Sequence, residues 1–284
     1  MSLTSFLELK DVRARFSGEF SKPRFQLTKL ILAPPLTKRY GLIGTAFDYL
    51  LRFYVKLLNP HAVTHNWVAL NAIDKMETSR VAKCRGEIRT ISDDYIKNAR
   101  NMLEEAERRY MQFLGSGIVN DELSKSVLQL AQLDTYFRSG IIDEDFGAIY
   151  EEDVMDLGRL ISCVELEKFR AQQTCVLNPT FGEASVLVGG ADADLLMDGR
   201  LIDIKTMSKL EMKREDFNQL MGYYALSRLG GVDDVISENP IRELGIYSAR
   251  YAEFLTFPVD DVINETKIKP FLEWIKKRAG EEFG

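Results

Sequence analysis

With 284 residues the chain is long enough for one large domain or two small ones, and 45% hydrophobic with 28% charged residues is ordinary for a soluble globular protein. Its formal charge of −6 excludes a generic basic coat, so any contact with nucleic acid has to come from a local basic surface on an acidic body. Cys84, Cys163 and Cys175 are widely spaced without a C-x-x-C, which excludes a disulfide framework or a cysteine-only zinc ribbon and suits a reducing cytoplasm.

No basic start followed by an apolar core opens the chain, so no secretory signal is read. No apolar run reaches the ~18 residues of a membrane span, so a cytoplasmic setting without a membrane partner is expected. Residues 1–40 carry weak signals. Phe16–Ser17–Gly18 and Ser21–Lys22–Pro23 break the pattern, and Phe25–Leu27 and Leu30–Leu32 read as short extended pieces. The basic residues Arg13, Arg15, Lys22, Arg24, Lys29, Lys38 and Arg39 form either a nucleic-acid face or scattered solvated charges.

A helix is predicted from Thr45, where Thr45–Asp48 has the form of a capping box and Phe47, Leu50, Leu51, Tyr54, Val55 and Leu58 follow with helical period. His61 and His65 come after its end, with Pro60 before them and no H-E-x-x-H, and read as surface residues. From Trp67 to Gly140 the pattern is helical, with one long charged helix over Asp93–Leu114 and a second over Asp121–Phe137. The acidic stretch Asp143–Asp156 reads as a solvated linker or as the start of a helix, where carboxylates suit the dipole.

Val154–Phe169 is predicted as a helix and Thr174–Leu177 as a strand. A strand pair is then expected from about Ser185, turning at Asp198–Gly199. Lys213–Leu229 is a helix, Ile241–Arg250 and Glu253–Phe257 are strands, and Asp260–Arg278 is a closing helix. Runs of helices beside a mixed sheet indicate an α/β or α+β domain with a helical insertion at 67–140 and its sheet at 150–284.

The hairpin concentrates the chemistry. With Asp198–Gly199 as the turn, Met197 faces Arg200, Leu196 faces Leu201, Leu195 faces Ile202 and Asp194 faces Asp203, with Asp192 opposite or near Lys205. Side chains alternate, so Asp203 and Lys205 share one face and Ile202 and Ile204 the other. Facing Cβ atoms lie roughly 4.5–5.5 Å apart, and two carboxylates there repel. A shared proton, a cation or Lys205 has to offset that repulsion, and paired hard oxygen donors suit Mg²⁺ or Mn²⁺.

Asp194 followed by Asp203–Ile204–Lys205, and then by Gln219–Leu220–Met221–Gly222–Tyr223, resembles the signature of the PD-(D/E)XK nuclease superfamily, in its RecB-like branch with a Q-x-x-x-Y motif. Ala193 stands where the name-giving proline would be, and four cysteine ligands for the iron–sulfur cluster of some relatives are absent from the chain. The resemblance implies a single restriction-endonuclease-like domain over 1–284, a mixed β-sheet flanked by helices, with the helical insertion inside it. It implies Mg²⁺- or Mn²⁺-dependent hydrolysis of DNA, as an exonuclease in repair, recombination or phage DNA processing. Asp194, Asp203 and the Ile204 carbonyl would ligate metal, Lys205 would position water or stabilise charge, and Gln219 and Tyr223 would orient phosphate or Lys205. Gly44–Asp48 is similar to the G-x-x-x-H motif of that branch, with Asp48 replacing histidine as a third metal ligand; the alternatives are that Asp48 only caps its helix, or that Glu165 or Glu167 supplies the third acid. Competing expectations are a nuclease-fold nucleic-acid-binding or assembly protein without turnover, and an unrelated acid-rich α/β hydrolase using Asp194 and Asp203. A protein partner or a homo-oligomer is compatible with the acidic net charge.

Overall fold

The computed structural model describes residues 2–232 and 241–283. Helices α1 (Leu3–Glu8), α2 (Lys10–Glu19) and α3 (Tyr40–Leu58) lead to a short strand β1 (Val63–Thr64) and helix α4 (Val68–Ser79). The hairpin β2 (Val81–Cys84) and β3 (Glu87–Thr90) precedes α5 (Asp93–Ser116), α6 (Asp121–Ser139) and α7 (Glu151–Ser162). Strand β4 (Cys175–Leu177), helix α8 (Glu183–Leu187), strands β5 (Leu195–Met197) and β6 (Arg200–Lys205) and helix α9 (Arg214–Gly230) carry the motif region. Strands β7 (Glu243–Ser248) and β8 (Glu253–Pro258) and helix α10 (Glu265–Phe283) follow.

The fold is mixed α/β. Six strands form one sheet in the order β1-β4-β5-β6-β7-β8, with β1/β4 and β6/β7 parallel and the other pairs antiparallel. Strand alternation sends Leu195, Met197 and Ile202 into a core with helices α3 to α7, and Leu196 and Leu201 into a second core with α1, α2, α8, α9 and α10. The sheet is thus covered on both sides, and Asp203 and Lys205, two and four residues beyond Leu201, share the α9 side.

The turn follows its sequence signal. Asp198 and Gly199 have φ of 46° and 86°, the positive pair that a tight hairpin reversal demands. The Asp198 carboxylate also accepts from the amides of Gln172, Gln173 and Thr174 at 2.7 to 2.9 Å, which pins the turn to the chain entering β4. The register Met197–Arg200, Leu196–Leu201 and Leu195–Ile202 is as predicted.

Several elements differ from expectation. Residues 3–19 are helical, because Leu3, Phe6, Leu7, Val12 and Phe16 all find cover and Phe16 meets Phe271 edge-on at 5.1 Å. Burying Phe16 contributes ~1.5–3 kcal/mol, more than the ~1 kcal/mol that Gly18 costs a helix. The pieces expected at 25–27 and 30–32 form no strand. Helix α3 starts at Tyr40 rather than Thr45, so Asp48 lies well inside it and does not cap it. The 67–140 stretch contains the hairpin β2–β3, in which β2 buries only the small side chains of Ala82 and Cys84 and β3 is exposed throughout, so the apolar signal is too weak to read as strand. The acidic stretch is only partly a linker: Glu151, Glu152 and Asp153 enter the first turn of α7, and Asp153 and Asp156 are buried. The helix expected to Phe169 stops at Ser162, with a 3-10 turn at Leu166–Phe169. In place of a strand near Ser185 there is the short helix α8, held where Ser185 Oγ accepts from Phe181 N and donates to Ala191 O. The closing helix starts at Glu265 after a 3-10 turn at Val259–Asp261.

Candidate active site

Strand β6 ends where α3, α6, α9 and the loop before β5 converge. There Asp48, Asp194, Asp203, Ile204, Lys205, Gln219 and Tyr223 all line one cavity of about 450 Å³. The N-terminal residues Ser2, Leu3 and Thr4 form a further wall, which the sequence reading missed. They reach it because Leu3 N donates to Gly190 O at 2.8 Å and because α1 lies directly on α9 at Gly222. A Cβ at Gly222 would stand 3.0 Å from the Leu3 side chain, so the glycine between Gln219 and Tyr223 admits this wall.

Lys205 is the hub. Its Nζ lies 2.6 Å from Asp203 Oδ2, donates to Gln219 Oε1 at 3.1 Å and stands 3.8 Å from Asp216 Oδ1. Gln219 Nε2 in turn donates to the Tyr223 hydroxyl at 2.9 Å, one helical turn further along α9. Burial opposes the ammonium, but Asp203, Asp194 and Asp216 outweigh it and raise Lys205 above its usual value. Lys205 is therefore a fixed positive charge rather than a proton acceptor at neutral pH.

Asp194 sits one step beyond the last paired residue of β5, and its Oδ2 accepts from the Ile204 amide at 2.5 Å. Burial first, then the charges of Asp203 and Asp48, push its carboxyl well above the ordinary 3.8. Burial and the same negative neighbourhood raise Tyr223. Asp203 is buried, and its Oδ2 has a close ammonium but no aligned hydrogen-bond donor. Asp194 and Asp203 are thus near enough to repel, just beyond the last paired residues Leu195 and Ile202, and Lys205 offsets Asp203.

Asp48 reaches the cavity from α3, but its carboxylate is gripped by Arg52, whose guanidinium also meets Asn178 and lies over the Tyr49 ring at 4.7 Å. Burial still raises Asp48, because Arg52 compensates only in part. Glu165 and Glu167 are exposed, pair with Lys168 and Arg170, and do not line the cavity. Asp192 is not beside Lys205: it bridges to Thr180 in backbone pairing and pairs with Arg138 at 3.3 Å. Arg138 also holds Asp134 at 2.6 Å, and Asp134 accepts from the Tyr49 hydroxyl at 3.2 Å. Asp134, Arg138 and Asp216 escaped the sequence reading. Asp216 had a signal, since 216, 219 and 223 fall on one helical face; the α6 pair had none, as only folding brings it here.

Among the described residues no group of three or more His, Cys, Asp or Glu is drawn close enough to hold a metal ion. The described residues include no helix long and apolar enough to cross a membrane. Comparison with known protein families, curated proteins and solved structures finds no match to this chain. What the fold and cavity define is therefore a mixed α/β protein with a carboxylate–lysine–amide cleft at the end of a central strand.

Proposed function

We propose that the chain is a metal-dependent nuclease with a restriction-endonuclease-like core that hydrolyses DNA phosphodiester bonds. The observation that carries this reading is the chain of contacts Asp203–Lys205–Gln219–Tyr223 with Asp194, all lining one cavity. These are the side chains that the D…D-x-K and Q-x-x-x-Y resemblance singles out.

Part of the donor set suits a hard divalent cation. Asp194 and Asp203 fit: both are oxygen donors, Asp194 carries the strain of two negative neighbours, and one Asp203 oxygen lacks an aligned donor. Asp48 does not fit in its present rotamer, because Arg52 occupies it. When bound, Mg²⁺ or Mn²⁺ supplies an acidified water and charge relief at phosphorus. The Lys205 ammonium faces the same cavity and offsets the charge that builds on the non-bridging phosphate oxygens. Gln219 fixes where that ammonium points, and Tyr223 fixes Gln219.

Incubating linear, circular and single-stranded DNA with Mg²⁺, Mn²⁺ or EDTA tests the reading directly. Asp203→Ala and Lys205→Ala are expected to reduce cleavage by roughly 10³-fold with unchanged far-ultraviolet dichroism, the scale of removing a main charge-stabilising group. Undiminished cutting by either variant refutes the assignment. The Arg52 grip on Asp48 favours a second reading, a nuclease-fold protein that binds nucleic acid without turnover. DNA bound but intact under all metal conditions would select it.

A further inference from the structure

We propose that the hollow adjoining the acid cleft is a trough for the phosphodiester backbone of a nucleic-acid strand, with Lys209 and Lys213 as its phosphate contacts. This deepens the nuclease reading and rests on it. The hollow has a volume of about 700 Å³ and shares Gly44, Thr45, Ile204 and Lys205 with the acid cavity, so the two form one continuous path. Charge is segregated along it. The cavity end holds five acids, Asp48, Asp134, Asp192, Asp194 and Asp203, against Arg138 and the shared Lys205. The hollow is lined by Lys205, Lys209 and Lys213 against the single acid Glu211. On a chain of net charge −6 this is the local basic surface that a polyanion requires.

Lys209 and Lys213 are exposed, and neither ammonium pairs with a carboxylate among the described residues. Their backbone, by contrast, is anchored. Arg250 Nε donates to Thr206 O at 2.9 Å, the Tyr251 hydroxyl to Ser208 O at 2.6 Å, and Lys22 Nζ to Met212 O at 2.8 Å. Met212 itself is buried. A segment tied down at three carbonyls while presenting two unpaired ammoniums is preorganised for an anion, because binding orders only the lysine tips. The junction with the acid cavity stays open because position 44 is glycine: a Cβ there would stand 3.1 Å from Thr206 Oγ1. A strand whose scissile phosphate lies over Lys205 continues past this junction onto Lys209 and Lys213.

The test is the salt dependence of binding. A fluorescein-labelled single strand, as DNA and as RNA, is titrated in EDTA with the unaltered protein, with Lys209→Gln/Lys213→Gln, and with the charge-matched control Lys276→Gln/Lys277→Gln on α10. Each phosphate contact contributes ~0.7 to the slope of log affinity against log salt for a single strand, so losing two lowers its magnitude by about 1.4. That drop in the trough variant, with the slope of the control unchanged, is the expected result for both strands, since both carry the same phosphates; the drop with one strand alone also supports the trough and assigns the sugar. An unchanged slope in the trough variant, an equal drop in the control, or no binding by the unaltered protein overturns the proposal. Failure of the nuclease reading is seen separately, as absence of Mn²⁺-dependent hydrolysis of bis(p-nitrophenyl) phosphate by the unaltered protein. A slope drop in that case would leave the trough standing as a binding surface alone.

Discussion

Two groups of buried charge meet near the end of β6, and they are built on opposite principles. Arg250 and Asp156 are fully buried and fully matched: the guanidinium donates to both carboxylate oxygens at 2.8 and 3.2 Å, to Ala33 O and to Thr206 O, and the carboxylate also accepts from Leu36 N. At the cavity, one oxygen of Asp203 has no aligned donor, and the Asp194 carboxyl is raised by burial and by the charges of Asp203 and Asp48. The matched pair ties α7, the segment before α3 and the end of β6 into one frame. At the cavity the compensation is partial, with Lys205 beside Asp203 and the Ile204 amide on Asp194. Buried charge that is satisfied serves structure; buried charge left unsatisfied beside a cavity points to a ligand.

Breaking the matched pair should have the largest effect. Arg250→Ala strands Asp156 in the interior and is expected to lower the unfolding free energy by ~3–5 kcal/mol, read as a fall in denaturant midpoint at constant slope. A loss below 1 kcal/mol would mean that the frame does not depend on this pair. Next comes the cation: at a hundredfold excess over its dissociation constant, Mn²⁺ should stabilise the unaltered protein by ~2.7 kcal/mol. Thermal unfolding should show that shift in the unaltered protein and none in Asp194→Asn; equal shifts in both would remove Asp194 from the cation site.

A smaller effect is expected at Asp216, whose Oδ1 lies 3.8 Å from Lys205 Nζ. Asp216→Asn should slow cleavage about tenfold, or ~1.4 kcal/mol of activation free energy, and move the pH profile, whereas Asp216→Glu should restore part of the rate. A pH profile left in place would show that Asp216 acts only on helix α9, where it accepts from Lys213 N.

The smallest effect has the opposite sign. Asp194→Asn removes a carboxyl that burial and the charges of Asp203 and Asp48 oppose, and should raise stability by ~1 kcal/mol at neutral pH while abolishing cleavage. Because the folded protein holds the Asp194 proton more tightly than the unfolded chain does, the penalty in the unaltered protein is absent below the ordinary 3.8 and grows as pH rises towards the elevated folded value. The stability advantage of the variant should therefore vanish in acid. An advantage that grew on acidification would contradict the raised carboxyl.

Local rules carried a definite share of this protein. Asp198–Gly199 dictates a reversal because both positions need positive φ, and counting outward from it brings Asp194 near Asp203 and puts Lys205 on the face of Asp203. Helical period likewise marked α5, α6 and α9 to within two residues at each end. The helices α1 and α2 and the place of the α6 pair Asp134 and Arg138 beside Asp192 were not legible, because each depends on a partner far along the chain; the hold of Arg52 on Asp48 is an i,i+4 pair within α3 that helical spacing allows and that the motif reading passed over. Leu3 folds against Gly222, Arg138 against Asp192 and Arg250 against Asp156. Short-range geometry, set by φ preference and side-chain alternation, belongs to the sequence alone. Which charges end up matched and which are left facing a cavity was decided only by long-range packing, since burial and neutralisation are properties of neighbours that no local pattern names.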